Sequence, residues 1–315
     1  MHMAADVSVI IPTYNRLWAL PQAVESCRAG GGRTEIIVVD DGSTDGTWDW
    51  LQKQKDVTSI LQNNWGKDWA VNNGFATARG EFVRFLDSDD WILPGANDKQ
   101  LAIGQSQSAD VVVAGYRILD EKTKNEQNLG WTACDDFIAQ QLGECDSSHY
   151  SAYLFRRSFI QNIFHRQEFG PLDDRMFVIE VALHNPRTAV YDAPAFVHRH
   201  HERGRLQFGH GMRAVLMRWQ HLNIYKKALA MLEARGDLTP RRIKAAVNIL
   251  WPLTHWIAYT HLDEACEVVR WIYQMDDKFV PPDNGLLGFL YRRLGFRTTE
   301  QILRVRRFGR RLFHS

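Results

Sequence analysis

The sequence predicts an α/β fold, a mostly parallel sheet flanked by helices, followed by a helical C-terminal region. Three observations lead there. Short apolar, β-branched runs alternate with helical stretches through the first half of the chain, the pattern of βαβ units. Three of those runs end in polar loops, at Thr13 to Arg16, Asp40 to Thr44 and Asp87 to Asp90, where ligands bind in open parallel sheets. Beyond Gly211 apolar residues recur at spacings of three and four, the helical period.

Val7-Ser8-Val9-Ile10-Ile11 ends at Pro12 and predicts a buried parallel strand. A helix from about Leu20 to Arg28 follows, with Pro21 in its first turn and Gly30-Gly31-Gly32 ending it. The next strand, Glu35 to Val39, runs into Asp40-Asp41 and a Gly-Ser-Thr-Asp-Gly turn. A helix through Trp48 and Leu51, a weak strand at Ser59 to Leu61 and a helix from Lys67 to Arg79 come next. The apolar stretch Phe82 to Leu86 then meets Asp87-Ser88-Asp89-Asp90, before a helix from Pro94 to Ser106 and a strand Asp110 to Ala114. Helices are expected over Met212–Ala234, Thr239–Thr260 and Asp263–Met275, with a hinge at Pro281 to Gly285. The expected organisation is an α/β domain over 1–205, a helical region over 206–285 and a basic amphipathic tail over 286–315.

The chain has 315 residues, 45% hydrophobic and 24% charged, an ordinary globular profile. Its net charge of +1 conceals an asymmetry: residues 286–315 carry eight arginines and one acid, so the remainder is net −6. The four cysteines form no Cys-x-x-Cys pair, and no charged-then-apolar leader precedes the first strand, so a reduced cytoplasmic setting is expected. In the tail, Ile302, Val305, Phe308 and Leu312 alternate with arginines, the pattern of a helix lying on an anionic membrane surface at its inner face. No nucleic-acid motif accompanies these charges, and no nucleic-acid partner is expected.

Three carboxylates within four residues at a strand end repel one another unless a cation or hydrogen-bond donors compensate them. Taken alone, Asp87-Ser88-Asp89 fits either a capped turn or a hard divalent cation. Neither Gly-x-Gly-x-x-Gly nor a P-loop follows the first strand, which disfavours an ordinary dinucleotide fold or a P-loop enzyme.

Val7 to Asn15, Glu35 to Asp45 (EIIVVDDGSTD), Asn72-x-Gly74 with Ala78-x-Gly80-Glu81-Phe82, and Leu86 to Asp90 together resemble the GT-A glycosyltransferases of family 2. The likeness is close over about the first 120 residues and looser to His201. It implies a Rossmann-like GT-A fold and an inverting transferase that moves a sugar from a nucleotide diphosphate sugar, most simply UDP-linked. Pro12, Thr13 and Tyr14 resemble the loop against the nucleotide base, and Asp40 with Asp41 the carboxylates at base and ribose. Lys67 resembles a basic residue near the phosphates, with a solvent-facing lysine the alternative. Asp87-Ser88-Asp89 resembles the metal motif for Mn2+ or Mg2+, with Asp89 the direct ligand and Asp87 facing ribose or a metal-bound water.

Asp174, in Leu172-Asp173-Asp174-Arg175, takes the place of the family's catalytic base, although Asp173 stands where Glu is usual. In Val197 to His201, His200 or His198 would complete the metal shell and Arg199 would bind phosphate. Trp131, His149 and Tyr150 either meet an acceptor sugar or pack in the core. The expected acceptor is a hydroxyl of a surface glycan or a lipid-linked glycan. Two alternatives remain at this point: a sugar-nucleotide nucleotidyltransferase, and a non-catalytic membrane-associated scaffold of the same fold.

Overall fold

The computed structural model describes residues 5–29, 33–203 and 212–312, with side chains described up to residue 304. The chain divides into two compact units: Met1–Phe137 with Asp146–Phe208, and Ile138–Cys145 with Gly209–Ser315. The boundary expected at residue 205 lies outside the described residues.

The elements of the first unit run β1 (Val7–Thr13), α1 (Leu20–Arg28), β2 (Thr34–Asp40), α2 (Thr47–Leu51), β3 (Val57–Leu61), α3 (Lys67–Thr77) and β4 (Phe82–Phe85). They continue through β5 (Trp91–Ile92), α4 (Ala96–Ser106), β6 (Val111–Asp120), β7 (Glu126–Leu129), α5 (Phe137–Leu142), β8 (Leu154–Arg156), α6 (Arg157–Ile160), α7 (Asp173–Leu183) and β9 (Thr188–His200). Helix α5 is shared with the second unit from Ile138 on.

Among the described residues the strands form one nine-stranded sheet, ordered β3-β2-β1-β4-β8-β6-β9-β5, with β7 on β6. The expected parallel pairing holds for β3, β2, β1 and β4. Beyond β4 the sheet is mixed: β8 runs antiparallel to β4 and β6, β5 antiparallel to β9, and β6 parallel to β9. All seven residues of β1 are buried, as a strand covered on both faces requires. The core beneath it gathers Val9, Ile11, Val24, Val38, Phe82, Leu86, Val112 and Phe196.

Two glycines fix how closely the layers approach. A Cβ at Gly74 would lie 2.5 Å from Ile10 Cγ2, so only glycine lets α3 sit against β1. Gly42, at φ +78°, turns the chain after β2 with its Cα facing the backbone of Asn64. Because β1, β2 and β4 are parallel, their carboxyl ends bring Thr13, Asp40 and the segment from Asp87 to one edge.

The second unit contains α8 (Met212–Ala234), α9 (Pro240–Ala258), α10 (Leu262–Met275) and α11 (Gly285–Leu312). Thr239 caps α9, its hydroxyl accepting from Arg242 N at 3.3 Å with Pro240 in the first turn. Helix α11 breaks at Gly295 (φ 75°, ψ 171°). Its inner side is held by buried Glu300, which accepts from Tyr291 Oη at 2.7 Å and lies 2.8 Å from His255 Nδ1. Among the described residues no helix is long and apolar enough to cross a membrane.

Candidate active site

The strand ends of the first unit line a cleft of about 730 Å³, together with the start of α3, the start of α7 and the end of β9. Pro12, Thr13, Tyr14, Asp41, Lys67, Asp87, Ser88, Asp89, Asp174 and Arg199 all line it. One wall is the β1 loop. Thr13 Oγ1 is buried there and, among the described residues, has no hydrogen-bond partner, while Tyr14 is exposed.

Asp40 and Asp41 part company. Asp40 was expected at the nucleotide, but it is fully buried beside Thr13 and does not line the cleft; its Oδ1 accepts from Ser43 N at 2.9 Å. Asp40 sits between Thr13 of β1 and Leu61 of β3, enclosed within the sheet. Asp41, the first residue beyond the strand, accepts from Gln62 Nε2 (2.7 Å), Trp65 N (2.8 Å) and Gly66 N (3.0 Å). It thereby anchors the loop that delivers Lys67 to the cleft.

Lys67 Nζ pairs with Asp87 Oδ1 at 2.5 Å. Burial alone would depress the lysine, but Asp87 and Asp174 outweigh it and hold the ammonium charged well beyond its ordinary range. Asp89 takes His201 Nε2 at 2.9 Å and Arg16 Nε at 3.7 Å. Burial pushes its carboxyl up, but the His201 hydrogen bond and the Arg16 charge prevail and bring it down to about 2. Asp90 is pushed up to about 6 by burial, against the opposing bond from His198.

His201, not His200 or His198, is the histidine on Asp89. His198 is committed to Asp90 at 3.0 Å, and His200 meets His198 edge to face at 5.0 Å. Strand β9 ends at His200, and the chain crosses to Asp89 only one residue later. Arg199 lines the cleft, but its guanidinium is held by Gln22 and lies over Trp91 at 4.9 Å and Trp18 at 5.4 Å. Its amide donates to Asp90 Oδ1 at 2.8 Å.

Asp174 stands in the first turn of α7, across the cleft from the Lys67–Asp87 pair. Burial raises its pKa above the ordinary carboxylate value; Lys67 opposes the rise and Asp87 adds to it. A carboxylate made more basic by burial suits proton abstraction. Asp68, at the start of α3, is pushed up to about 6 by burial and by the charge of Asp173. Of the residues considered for an acceptor, Tyr150 is buried with its ring on Phe85 and its hydroxyl 2.7 Å from His165 Nε2, and Trp131 packs on Phe137 and Tyr153.

Among the described residues no group of three or more His, Cys, Asp or Glu side chains is arranged to hold a metal alone. The donors that fit a hard divalent ion are the Asp89 and Asp87 oxygens, leaving further positions for diphosphate and water; both His201 nitrogens are engaged, Nε2 with Asp89 and Nδ1 accepting from Arg203 N at 3.0 Å.

A mixed sheet flanked by helices and followed by C-terminal helices is a fold this chain shares with solved GT-A glycosyltransferases. Residues 8–164 match the family model described as Glycosyl transferase family 2, and the chain belongs to that family. The GalNAc(5)-diNAcBac-PP-undecaprenol beta-1,3-glucosyltransferase of Campylobacter jejuni is 43% identical over 97 residues, 29% of this chain and 31% of that one. Among solved structures, S. aureus TarS 1-349 in complex with UDP aligns at TM-score 0.57 and 18% identity, covering 95% of this chain and 91% of the other. The mannosyltransferase PcManGT from Pyrobaculum calidifontis, in complex with GDP-Man and Mn2+, aligns at TM-score 0.53 and 15% identity, covering 96% and 88%. At these identities the structural likeness is one of fold. The chain spans about half the length of the first curated relatives it matches.

Proposed function

We propose that the protein is an inverting glycosyltransferase that moves a sugar from a UDP-linked donor to a hydroxyl of a surface glycan or lipid-linked oligosaccharide. The observation that carries this reading is the sharing of one cleft by the strand-end acids, Lys67 and Asp174. The Thr13 hydroxyl and the Tyr14 ring face the base, and Lys67 leaves Asp87 for the diphosphate. Asp174 takes the proton of the acceptor hydroxyl while that oxygen attacks the anomeric carbon opposite the leaving nucleotide. Asp89, with Asp87, would hold Mn2+ or Mg2+, which when bound neutralises charge developing on the departing diphosphate, while His201 orients the Asp89 carboxylate. The Mn2+ and GDP-Man in PcManGT and the UDP in TarS favour this use of the cleft.

A lipid-linked acceptor agrees with the undecaprenol-linked substrate named for the Campylobacter relative. It also agrees with α11, where Leu286 (72%), Phe289, Leu294 and Ile302 are exposed among arginines, a face suited to an anionic bilayer.

Calorimetric titration with UDP, with and without manganese, tests the donor side. Wild type should bind UDP more tightly with the ion, and Asp89→Ala should lose that increment. Equal affinity in all four conditions, or no binding of UDP, would count against the proposal.

A further inference from the structure

A buried chain of polar groups lies behind the two acids of α7. Tyr150 Oη is 2.7 Å from His165 Nε2, and His165 Nδ1 is hydrogen-bonded to Asp173 Oδ2. Asp173 Oδ1 accepts from Arg166 N at 2.6 Å. All three side chains are buried: Tyr150 and Asp173 are 5% exposed and His165 6%. The arrangement that pairs every atom has the Tyr150 hydroxyl donating to Nε2, which leaves the Nδ1 proton for Asp173.

The chain is fixed from every side. The Tyr150 ring stacks on Phe85 at 5.2 Å, and the His165 ring on Phe177 of α7 at 4.4 Å. Asn72 of α3 clamps the His165 backbone twice, donating to its carbonyl at 2.9 Å and accepting from its amide at 3.0 Å. Arg166 grips α7 two turns further on through Glu180 at 3.0 Å.

Asp173 lines the cleft beside Asp174, but both its oxygens are already engaged, by His165 Nδ1 and the Arg166 amide. Asp174, one residue on, has one hydrogen bond of this kind, accepted from the neighbouring Arg175 N at 2.7 Å. Adjacent acids at a helix start would otherwise compete for the same cations and repel each other.

We infer that Tyr150, His165 and Asp173 form a positioning relay that locks the first turn of α7 and occupies both oxygens of Asp173, so that of the two neighbouring acids lining the cleft Asp174 is the one left to the acceptor hydroxyl. The inference rests on the proposed role of Asp174 and adds what aims it. Tyr150→Phe removes one oxygen and leaves His165 Nε2 without its donor. His165→Leu, with no polar side-chain atom, breaks both links and frees one Asp173 oxygen.

The test compares these two variants with Asp174→Ala. Turnover is followed as UDP release from the preferred UDP-sugar, UDP affinity by calorimetry, and the His165 tautomer by nitrogen NMR. The relay predicts that kcat falls roughly tenfold to a hundredfold in both variants, the scale of a small misplacement of a reacting group. It predicts unchanged UDP affinity, and a neutral Nδ1–H tautomer for His165 in the wild type. Wild-type kcat in Tyr150→Phe, or an Nε2–H tautomer for His165, would overturn it, as would loss of UDP affinity in step with kcat. Should His165→Leu fail to fold, Tyr150→Phe and the tautomer decide. An Asp174→Ala variant that keeps full turnover sinks the assignment of the base instead, and the relay's aim with it. An inactive Asp174→Ala beside a fully active Tyr150→Phe sinks the relay alone.

Discussion

Replacing Asp41 by alanine removes a carboxylate that accepts three hydrogen bonds and joins the end of β2 to the loop before α3. Bonds to a charged group contribute about 1.5–3 kcal/mol each, but they do not all vanish outright. The Trp65 and Gly66 amides belong to a loop that water can enter once the carboxylate is gone, so they recover much of their loss. Gln62 is buried, and its amide oxygen is already committed to Asn73 at 2.6 Å, so its Nε2 has no comparable substitute. The expected net loss is about 2–4 kcal/mol, or roughly 4–16 °C in the melting temperature of a unit of this size.

Asp41→Asn separates geometry from charge. Its oxygen can still take Gln62 and Trp65, but its amide group then confronts the Gly66 N–H, at a cost of about 1–2 kcal/mol. Thermal unfolding followed by far-ultraviolet circular dichroism should rank wild type above Asp41→Asn above Asp41→Ala. An Asp41→Ala protein that melts within about 1 °C of wild type would refute the anchoring role.

Asp68 opposes folding when ionised. Its folded pKa of about 6 lies above the ordinary 3.8, so the folded chain keeps a proton that the unfolded chain has released. Stability from this group is therefore lost as pH rises through that window; Asp68→Asn should gain on wild type in urea midpoints between about pH 4 and 6, then hold a constant lead. Gly74→Ala forces a methyl to within 2.5 Å of Ile10 and should cost about 1–3 kcal/mol in urea unfolding, with Gly66→Ala, which meets no atom within 4 Å but sits at φ +106°, as the strain-only control. Leu286→Ser with Phe289→Ser should weaken sedimentation with vesicles of anionic phospholipid, leaving the helical content of the protein unchanged; undiminished sedimentation would remove the membrane role of α11.

Much of this was legible from residues. The strands Val7 to Ile11 and Glu35 to Val39 stand within β1 and β2 as expected, because a strand buried on both faces has to be an unbroken apolar run. The helix expected at Leu20 to Arg28 is α1. The second half of the sheet was hidden for physical reasons. Strand β9 shows no regular alternation of apolar and polar residues and contains Pro194, and its pairing with β6 shifts register around Gly115. Strand β5 has two residues and carries no periodicity at all.

The site divided along the same line. Local sequence marked the acids, but which of three neighbouring histidines meets Asp89 depends on where β9 ends. Asp40 and Asp41 look equivalent in sequence, and a single residue of strand decides that one is sealed in the core. The Tyr150–His165–Asp173 chain left no local signal, since its members are eight and fifteen residues apart and meet only through tertiary packing.

The most direct test of the central claim is turnover of the purified full chain with manganese and a panel of nucleotide sugars, followed as release of the nucleoside diphosphate in the presence of glycan acceptors. The account predicts release with a UDP-linked donor, reduced by roughly a hundredfold or more in Asp174→Asn and lost in Asp89→Ala, both variants remaining folded. No release with any donor, or release undiminished in both variants, would contradict it.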